Sequence, residues 1–156
     1  MDPVAEQLQL PESYGTPSRL LTWADVQQRL TGALHYWLAT TRPDDRPHLV
    51  PIDGVWLDAA CYFGGDPTTV HMVNLAANPR AVLHLDDSEA AVIVEGEVEW
   101  HLPATLQAAQ LAAASKAKYG YGPPASTYRA GTWRLPASRI LAWNVLYEDA
   151  TRFVFR

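Results

Sequence analysis

The sequence predicts a mainly β fold of the β + α type, an antiparallel β-barrel with short helices across its ends. Three observations lead to this prediction. Short apolar segments of strand character follow one another, tight turns join them in sequence order, and no G-x-G-x-x-G pattern follows a strand. The length of 156 residues favours one domain, over 22–156, preceded by an irregular, proline-containing arm over 1–21.

Composition narrows the class of protein. Hydrophobic residues make up 48% of the chain and charged residues 19%, which is ordinary for a globular protein with a buried core. The net charge of −5 argues against nucleic acid or an anionic membrane surface as the main partner. A lone cysteine, Cys61, forms no intrachain disulfide, and no apolar run approaches the roughly 20 residues of a membrane span. We therefore expect a cytoplasmic protein.

The helices are predicted from capping residues and spacing. Thr22 and Asp25 resemble a capping box, and the apolar residues that follow recur at helical spacing, so a helix is expected over Trp23–Thr31. A second helix is predicted over Thr68–Asn78, which has an apolar face and ends where a proline follows. Ala104–Lys118 is rich in Ala, Leu and Gln and ends shortly before a glycine, which predicts a third helix.

Strands fill most of the remaining chain, and turn residues separate them. A Pro-Asp-Asp sequence within 42–46 predicts a type I turn between the first two strands, and Gly96 suits a bend or bulge in a later one. Tyr119–Gly131 is rich in Gly and Pro and is predicted to be a loop. The predicted strands are Ala33–Thr41, His48–Leu57, Ala60–Gly64, Arg80–Asp86, Ala90–Trp100, a strand region over Thr132–Val145, and Thr151–Arg156.

No familiar catalytic motif is present. The sequence lacks H-E-x-x-H, C-x-x-C, G-x-S-x-G and a Walker loop, so the catalytic residues stay unassigned. The five histidines are scattered along the chain, and this scatter predicts no metal site. Cys61 lies within a predicted strand and is expected to be a small buried hydrophobic residue rather than a nucleophile.

The segment from Tyr62 to Arg80 is the most informative for binding. A strand there ends in a Gly-Gly-Asp-Pro turn that runs directly into a helix, with Thr68 and Thr69 beside the unpaired backbone N–H groups. Such a helix start favours a phosphate, and His71 is placed to donate to the same group. The alternative is an ordinary strand–turn–helix connection with a threonine N-cap and a solvent-facing histidine.

The aromatic residues leave two interpretations open. Tryptophans on the predicted strands are expected to pack in the core or at an interface, while Trp56 and Trp143 are candidate contacts for a ring system. Tyr119, Tyr121 and Tyr128 lie in the predicted Gly- and Pro-rich loop. This loop either covers a site or is a solvated connector.

Five stretches, in this order, resemble one known family. They are YWLATTRPDDRPHLVPIDGVWLD, ACYFGGDP, NLAANPRAVLHL, VIVEGEVE and a terminal DATRFVF, and together they cover most of 23–156. The set is similar to the pyridoxamine 5′-phosphate oxidase-like superfamily of FMN- and F-420-binding proteins, and most to its actinobacterial deazaflavin-dependent oxidoreductase branch. The resemblance implies an antiparallel split β-barrel that forms a homodimer, with two cofactor sites at the subunit interface.

The resemblance also assigns cofactor-binding positions. The ring system is expected against His48–Trp56, facing the backbone around Pro51–Gly54, and the phosphate at the turn and helix start. Members typically carry S/T-x-K-x-R-N-L at that start, whereas here His71 replaces the usual Lys and Val73 a usual Arg. The cofactor-binding residues so implied are Pro51, Ile52, Asp53, Gly54, Trp56, Thr68, Thr69, Val70, His71, Asn74, Arg80 and Trp143.

The replaced lysine bears on which cofactor is bound. Lysine is permanently charged, whereas histidine has an ordinary pKa near 6.5 and is mostly neutral at pH 7. The long acidic tail of F-420 requires a local basic groove, for which Arg42, Arg46 and Arg80 are the candidates near the turns.

The implied function is that of an oxidoreductase. A bound F-420, or FMN as the alternative, transfers a hydride to a small unsaturated or heteroaromatic substrate, and the cofactor itself supplies the chemistry. A second hypothesis is a split-barrel dimer that binds or carries a cofactor or a tetrapyrrole without turnover. A third is a scaffold with a vestigial pocket. The expected partners are a second copy of the chain and the small-molecule substrate.

Overall fold

The computed structural model describes residues 2–155, which form two antiparallel β-sheets with five α-helices packed around them. The predicted mainly antiparallel β fold with short helices is confirmed, in the form of two open sheets. The strands are β1 (Val4–Gln7), β2 (His35–Thr41), β3 (Pro47–Asp53), β4 (Val55–Leu57), β5 (Ala60–Phe63), β6 (Arg80–His84), β7 (Ala91–Glu97), β8 (Glu99–His101), β9 (Thr132–Pro136), β10 (Arg139–Trp143) and β11 (Thr151–Val154). The helices are α1 (Trp23–Gly32), α2 (Val70–Ala77), α3 (Thr105–Tyr119), α4 (Ala125–Ala130) and α5 (Leu146–Asp149).

Single residues connect the two sheets. The strand order is β1-β11-β10-β7-β6-β2-β3 in the larger sheet and β4-β5-β9-β8 in the smaller one. The chain passes from β3 into β4 through Gly54 alone, and from β7 into β8 through Val98 alone. The two long strands predicted at these places are therefore each divided between the sheets, and both sheets contribute to one hydrophobic core.

Helix α1 packs into this core. Thr22 Oγ1 accepts a hydrogen bond from the backbone N–H of Asp25 at 3.2 Å, so the predicted cap is formed. Val26 and Leu30 have no solvent exposure, which shows that the apolar face of the helix is fully covered.

Helix α3 covers the smaller sheet. Leu111 is fully buried and packs with Val55, Ala60 and Tyr62. Strand β4 contacts both α1 and α3, so the chain that follows Gly54 is enclosed by two helices. With 15 residues α3 is the longest helix within residues 2–155, and no helix in that range has the length and apolarity to cross a membrane.

Strand β7 passes very close to β9 at Gly96. An ideal Cβ on this glycine would lie 2.2 Å from the carbonyl oxygen of Pro136, so only glycine allows the approach. The β6–β7 register continues through Gly96, which pairs with Ala81. The glycine is therefore required for close packing of the two sheets, and the ladder contains no bulge at this residue.

Three segments differ from the prediction. The arm predicted to be irregular contains β1, which pairs with β11 at the edge of the larger sheet. The predicted loop over 119–131 contains α4, and 145–150 contains the short α5. Tertiary contacts stabilise such short elements, and periodicity gives no signal over so few residues. Arg156, the end of the last predicted strand, lies outside the described residues.

Replacing Gly96 by alanine tests the close approach of the two sheets. The added methyl group meets backbone rather than a movable side chain, so we expect Gly96→Ala to lower the free energy of unfolding by about 1–3 kcal/mol. Urea unfolding followed by tryptophan fluorescence measures the difference. Gly32→Ala is the control, because a methyl group there meets nothing within 4 Å and its effect should stay within about 1 kcal/mol. Equal stability of the two variants would contradict the packing argument.

Candidate functional site

A cavity of about 330 Å³ lies between the smaller sheet and a cover made of α4 and the end of α3. Its volume is at the lower end of the range of small-molecule sites. Asp53 is the only charged residue among those that line it, so the cavity favours an uncharged, flat, apolar group. The aromatic residues of its wall are Tyr62, Phe63, Trp100, Tyr119, Tyr121, Tyr128 and Trp133.

Two tryptophans that were expected in the core or at an interface form one wall of this cavity. The rings of Trp100 and Trp133 meet edge to face, with 5.1 Å between their centroids. Gly131 has a φ of +129° and lies directly against the indole of Trp100, since a Cβ there would be 2.1 Å from the ring. Trp100 remains 53% exposed, so it borders the cavity and is not a core residue.

The segment predicted as a loop covers the cavity. Tyr119, Tyr121 and Tyr128 all line it, and α4 lies between the last two glycines of the segment. Gly122 packs tightly on α3, because an ideal Cβ there would be 2.5 Å from Ser115 Oγ. Of the two interpretations of this segment, the structure favours a cover over a solvated connector.

Gly54 lines the cavity at the corner between β3 and β4. Its N–H donates to the hydroxyl oxygen of Tyr119 at 2.9 Å, and its C=O accepts from Lys118 Nζ at 3.0 Å. Side chains at the end of α3 therefore occupy both backbone polar groups of this residue. The expectation that the backbone around Pro51–Gly54 faces a ring does not extend to the polar groups of Gly54.

The outer edge of β3 carries unpaired backbone groups. β3 is the last strand of the larger sheet, so only one of its edges pairs, with β2. Arg42 N–H donates to Arg46 C=O at 2.9 Å in the β2–β3 turn, which makes this a hydrogen-bonded pair. Hydrogen-bonded and non-hydrogen-bonded pairs alternate in an antiparallel ladder, so by the register the backbone groups of Leu49, Pro51 and Asp53 point outward.

This edge presents an acceptor next to a donor. The C=O of Pro51 and the N–H of Asp53 point away from β2, and Asp53 also lines the cavity. Proline has no N–H to leave unpaired at an outer edge, which explains how Pro51 is tolerated within the strand. A flat ligand that carries an N–H beside a C=O on its rim can pair with both groups.

The first turn of α2 has free backbone donors. Within residues 2–155, no protein group accepts from the N–H groups of Val70, His71 and Met72, and no side chain caps the helix. Thr69 Oγ1 instead donates to the C=O of Asp66 at 2.8 Å. Three free N–H groups and the helix dipole favour an anion at this point.

A carboxylate lies beside these donors. Asp66 Oδ1 accepts from the N–H of Thr68 at 2.8 Å and from its hydroxyl at 2.5 Å. These two bonds, the hydroxyl first, lower the pKa of Asp66 below its ordinary value, so the group is ionised at neutral pH. The threonine hydroxyls that were expected to hold a phosphate thus donate within the turn, and a negative charge opposes an anion there.

His71 links the start of α2 to the cavity. Gly65 lines the cavity, and an ideal Cβ on it would lie 3.4 Å from His71 Nε2. Burial, followed by the neighbouring His48, lowers the pKa of His71 below its ordinary value of 6.5. The imidazole is therefore neutral at pH 7 in the absence of a ligand, where the resemblance leads one to expect a charged lysine.

A groove of about 340 Å³ adjoins the start of α2. Arg42 and Arg46, from the β2–β3 turn, line it together with Thr68 and Val70. The guanidinium of Arg46 pairs with Asp44 at 2.8 Å, and both side chains are exposed. The structure thus brings two of the three candidate arginines together beside the expected phosphate position. We call this the arginine groove.

Three residues implied by the resemblance have structural roles in the chain. Ile52 and Trp56 are buried in the core, at 9% and 4% exposure, because their positions in β3 and β4 direct them away from solvent. Asn74 adjoins the arginine groove, but it is 2% exposed and its amide donates to Thr40 Oγ1 at 3.0 Å. This bond fastens α2 to β2.

Two others line neither the cavity nor the arginine groove. Arg80 begins β6 and pairs with Glu97 at 3.4 Å, at the edge of a separate groove. Trp143 ends β10 opposite Ala91 and does not line the cavity of its own chain. The groove of Arg80 is also lined by the last residue of β2 and the first of β3, and it shares no lining residue with the arginine groove.

Cys61 has no nucleophilic character. Burial raises the pKa of its thiol to about 12, with a smaller opposing effect from Lys118, so the group stays protonated at neutral pH. Its side chain belongs to the main hydrophobic cluster. Across the described range, 2–155, no group of three or more His, Cys, Asp or Glu side chains is arranged to hold a metal ion.

Sequence reasoning did not identify Asp66, Lys118 or the hydroxyl of Tyr119 as site groups. The sequence distance explains the last two, because Gly54 lies 64 residues before Lys118 and 65 before Tyr119. Nothing local distinguishes Lys118 from the exposed Lys116 two positions earlier. Asp66 carried a signal, since an aspartate two residues before a threonine forms such turns, but this signal competes with the phosphate interpretation.

The family follows from the comparison with known sequences. Residues 22–144 match the family profile described as pyridoxamine 5′-phosphate oxidase. The chain belongs to this family. No curated protein matches the sequence of this family member.

Solved structures share the fold of this family member at low sequence identity. An F-420 reductase is 18% identical with a TM-score of 0.55, over 73% of this chain and 94% of that one. A FAD-binding protein from Mesorhizobium loti is 19% identical with a TM-score of 0.59, over 88% and 97%. A heme binding protein from Mycobacterium smegmatis is 21% identical with a TM-score of 0.58, over 80% and 55%. These likenesses establish the fold alone.

The charge of Asp66 is predicted to weaken anion binding at the start of α2. Asp66→Asn keeps the oxygen that accepts from Thr68 and removes the charge, so we expect the affinity for inorganic phosphate and for FMN to rise by up to about fivefold at low salt. Isothermal titration calorimetry at two salt concentrations measures the effect. Asp87→Asn is the matched control, since Asp87 accepts from the backbone of its own turn in the same way. Unchanged affinity in Asp66→Asn would mean that no anion binds beside this turn.

Proposed function

We propose that this chain binds a flavin-type cofactor, F-420 in preference to FMN, and transfers a hydride between it and a small unsaturated or heteroaromatic substrate. The observation that carries the proposal is the outer edge of β3, where the C=O of Pro51 and the N–H of Asp53 point outward and Asp53 lines an aromatic cavity. Membership of the pyridoxamine 5′-phosphate oxidase family supports the class of cofactor.

The β3 edge suits the pyrimidine rim of such a cofactor. Flavins and deazaflavins share a rim in which one N–H lies between two carbonyl groups. This N–H is able to donate to the C=O of Pro51 while a carbonyl accepts from the N–H of Asp53. The aromatic cavity beside the edge suits the flat apolar part of the ring. Because both cofactors carry the same rim, the preference between them depends on the tail.

The tail favours F-420. Gly65 lines the cavity and Thr68 lines the arginine groove, and three residues of chain span at most about 11 Å. One extended ligand is therefore able to reach from the cavity, past the free N–H groups of α2, into the arginine groove. Arg42 and Arg46 suit the long acidic tail of F-420, whereas FMN ends in a single phosphate and does not need them.

The residues of the chain bind and orient in this proposal. The bound cofactor supplies the hydride chemistry. The aromatic wall packs against the ring, and the β3 edge sets the orientation of the ring. The first turn of α2 and the arginine groove hold the anionic part. Hydride transfer of this kind requires no acid–base pair from the protein.

One observation favours a second candidate, a protein that binds or carries a cofactor or a tetrapyrrole without turnover. The start of α2 combines a neutral His71 with an ionised Asp66, where a firm phosphate anchor would need positive charge. One protein of the same fold is a heme binding protein. Tight cofactor binding without any acceleration of hydride transfer supports this candidate.

A second copy of the chain is the macromolecular partner in this proposal. Leu49 on β3 and Val70 and Val73 on α2 are apolar but 43–52% exposed, and the two elements touch. Pro47 and Pro51 lack the N–H groups that a continued sheet would need, so a second copy packs on this surface through side chains. The cofactor then lies between two subunits.

Titration with F-420 and with FMN tests the proposal. We expect F-420 to quench the tryptophan fluorescence of the cavity wall and to bind more tightly than FMN, because only F-420 reaches the arginine groove. Arg42→Gln should weaken F-420 binding and leave FMN binding unchanged. Arg152→Gln is the control, since Arg152 on β11 pairs with Glu6, near the opposite edge of the larger sheet from β3.

Turnover separates the two candidate functions. Oxidation of reduced F-420 by an added quinone only when the protein is present supports the oxidoreductase. Tight binding with no acceleration supports the carrier. If the chain binds neither F-420 nor FMN, both the proposed cofactor and the proposed enzymatic activity are wrong.

The pH dependence of FMN binding tests the contact of His71. Its pKa is lowered in the free protein, and a phosphate beside it favours the charged form, so binding takes up a proton. The contribution of His71 is therefore full below its lowered pKa in the free protein and is lost as the pH rises through the pKa of the complex. His71→Lys should remove this loss and tighten FMN binding at pH 8 by about tenfold or more, because a hydrogen bond to a charged group is worth about 1.5–3 kcal/mol.

Fluorescence titrations of both proteins across pH 5.5 to 8 provide this measurement. The phosphate of FMN gains charge over the same range and affects both proteins alike, so the ratio of their dissociation constants is the quantity to follow. Gln27→Lys adds the same charge at an exposed position of α1 and serves as the control. If that ratio stays constant with pH, His71 makes no phosphate contact.

Sedimentation tests the dimer. We expect a dimer at micromolar concentration, and Leu49→Glu should shift it to monomer, because a buried unpaired carboxylate is costly at an apolar interface. Leu106→Glu is the matched control, as Leu106 is 73% exposed on α3, away from β3 and α2. A monomeric wild-type chain, or a dimer insensitive to Leu49→Glu, is the result that rules this interface out.

A further inference from the structure

Two adjacent side chains at the end of α3 hold the Gly54 corner. Lys118 Nζ donates to the C=O of Gly54 at 3.0 Å, and the hydroxyl of Tyr119 accepts from its N–H at 2.9 Å. Neither sheet supplies a ladder partner at this residue, because the chain changes sheets there. Without these side chains, the N–H and C=O of the corner would lose their partners beside the cavity.

The same two side chains are tied to other elements. Lys118 Nζ also donates to the hydroxyl oxygen of Tyr36 at 2.9 Å, and that hydroxyl donates to the C=O of Leu30 in α1 at 2.6 Å. The hydroxyl of Tyr119 donates to the C=O of Leu34, just before β2, at 2.5 Å. The corner is therefore held relative to α1 and β2 as well as to α3.

The corner has no space to move toward the smaller sheet. An ideal Cβ on Gly54 would lie 3.0 Å from Cys61 Sγ and 3.1 Å from the C=O of Tyr62. With β5 on one side and the α3 side chains on the other, the peptide has a single position. A glycine free of such contacts would otherwise be the most mobile residue of the strand.

We propose that Lys118 and Tyr119 are positioning residues for the ligand-binding edge of β3. By holding Gly54 they keep the C=O of Pro51 and the N–H of Asp53, one to three residues before the corner, in one orientation beside the cavity. This inference rests on the proposed function, in which that edge pairs with the cofactor ring. Tyr119 acts at two places, since its ring lines the cavity and its hydroxyl holds the corner.

The charge of Lys118 suits this role. The ammonium lies 4.9 Å from the ring centroid of Tyr36 and 5.9 Å from that of Tyr119, within the range of cation–π contacts. Burial lowers the pKa of Lys118, while the neighbouring Cys61 and Asp53 act in the opposite direction. Lys116, the other lysine of α3, is exposed and makes none of these contacts.

Two variants and two matched controls test the proposal. Lys118→Met keeps the length of the side chain but removes the donor, and Tyr119→Phe removes the hydroxyl while keeping the ring in the cavity wall. Lys116→Met and Tyr147→Phe make the same changes at exposed positions. Hydrogen exchange of the peptide over 49–57, the dissociation constants of F-420 and FMN, and thermal unfolding are measured for each variant.

We expect local loosening together with a loss of affinity. Exchange over 49–57 should be at least tenfold faster in Lys118→Met and Tyr119→Phe, the better-bound cofactor should bind about tenfold more weakly, and β10 and β11 should keep their slow exchange. Lys118→Arg retains the charge and several donors, so it should restore most of the affinity. Both controls should match the wild type.

Other outcomes overturn the proposal. Wild-type affinity and wild-type exchange in the two variants would show that Lys118 and Tyr119 do not position Gly54. Faster exchange throughout the chain, with unchanged affinity in the folded fraction, would show a general stabilising role only. If the wild-type chain binds neither F-420 nor FMN, the proposed function fails. Unchanged exchange over 49–57 in Lys118→Met and Tyr119→Phe would then show separately that these side chains do not hold Gly54.

Discussion

The corner at Gly54 is the constraint on which the arrangement of this site depends. The chain leaves one sheet and enters the other within a single residue, so the backbone groups of that residue lose their ladder partners. Hydrogen bonds from the end of α3 replace them. Helix α3 must therefore lie against the smaller sheet, and the space left between the helix, α4 and the sheet is the aromatic cavity.

The two parts of the site differ in chemical character. The cavity has an aromatic wall and a single charged residue, Asp53, so its affinity comes from apolar burial. The start of α2 and the arginine groove carry charged and polar groups, but the negative charge of Asp66 opposes the arginines and His71 is neutral without a ligand. In the proposed complex, a flat ring therefore contributes most of the binding free energy, and an anionic tail contributes direction.

Local signals explain what could be predicted. The cap of α1 at Thr22, the turn over 42–46 and the placement of Thr68 before α2 each depend on residues within a few positions. Asp53 and Gly54 were placed near a ring, and both line the cavity. Alternation along a strand, however, does not reveal whether the next layer covers a face, so Trp100, expected in the core or at an interface, is not a core residue and borders the cavity.

From the sequence alone follow the types of most elements, the resemblance to the family and the replacement of a usual lysine by His71. These properties depend on residue identity and on near neighbours along the chain. The tertiary structure decided that Lys118 meets Gly54, that Asp66 occupies the turn beside α2, and that Arg80 lines a different groove from the other two arginines. Such contacts depend on how two sheets and a helix pack, and residues many positions apart in the chain carry no local signal of their meeting.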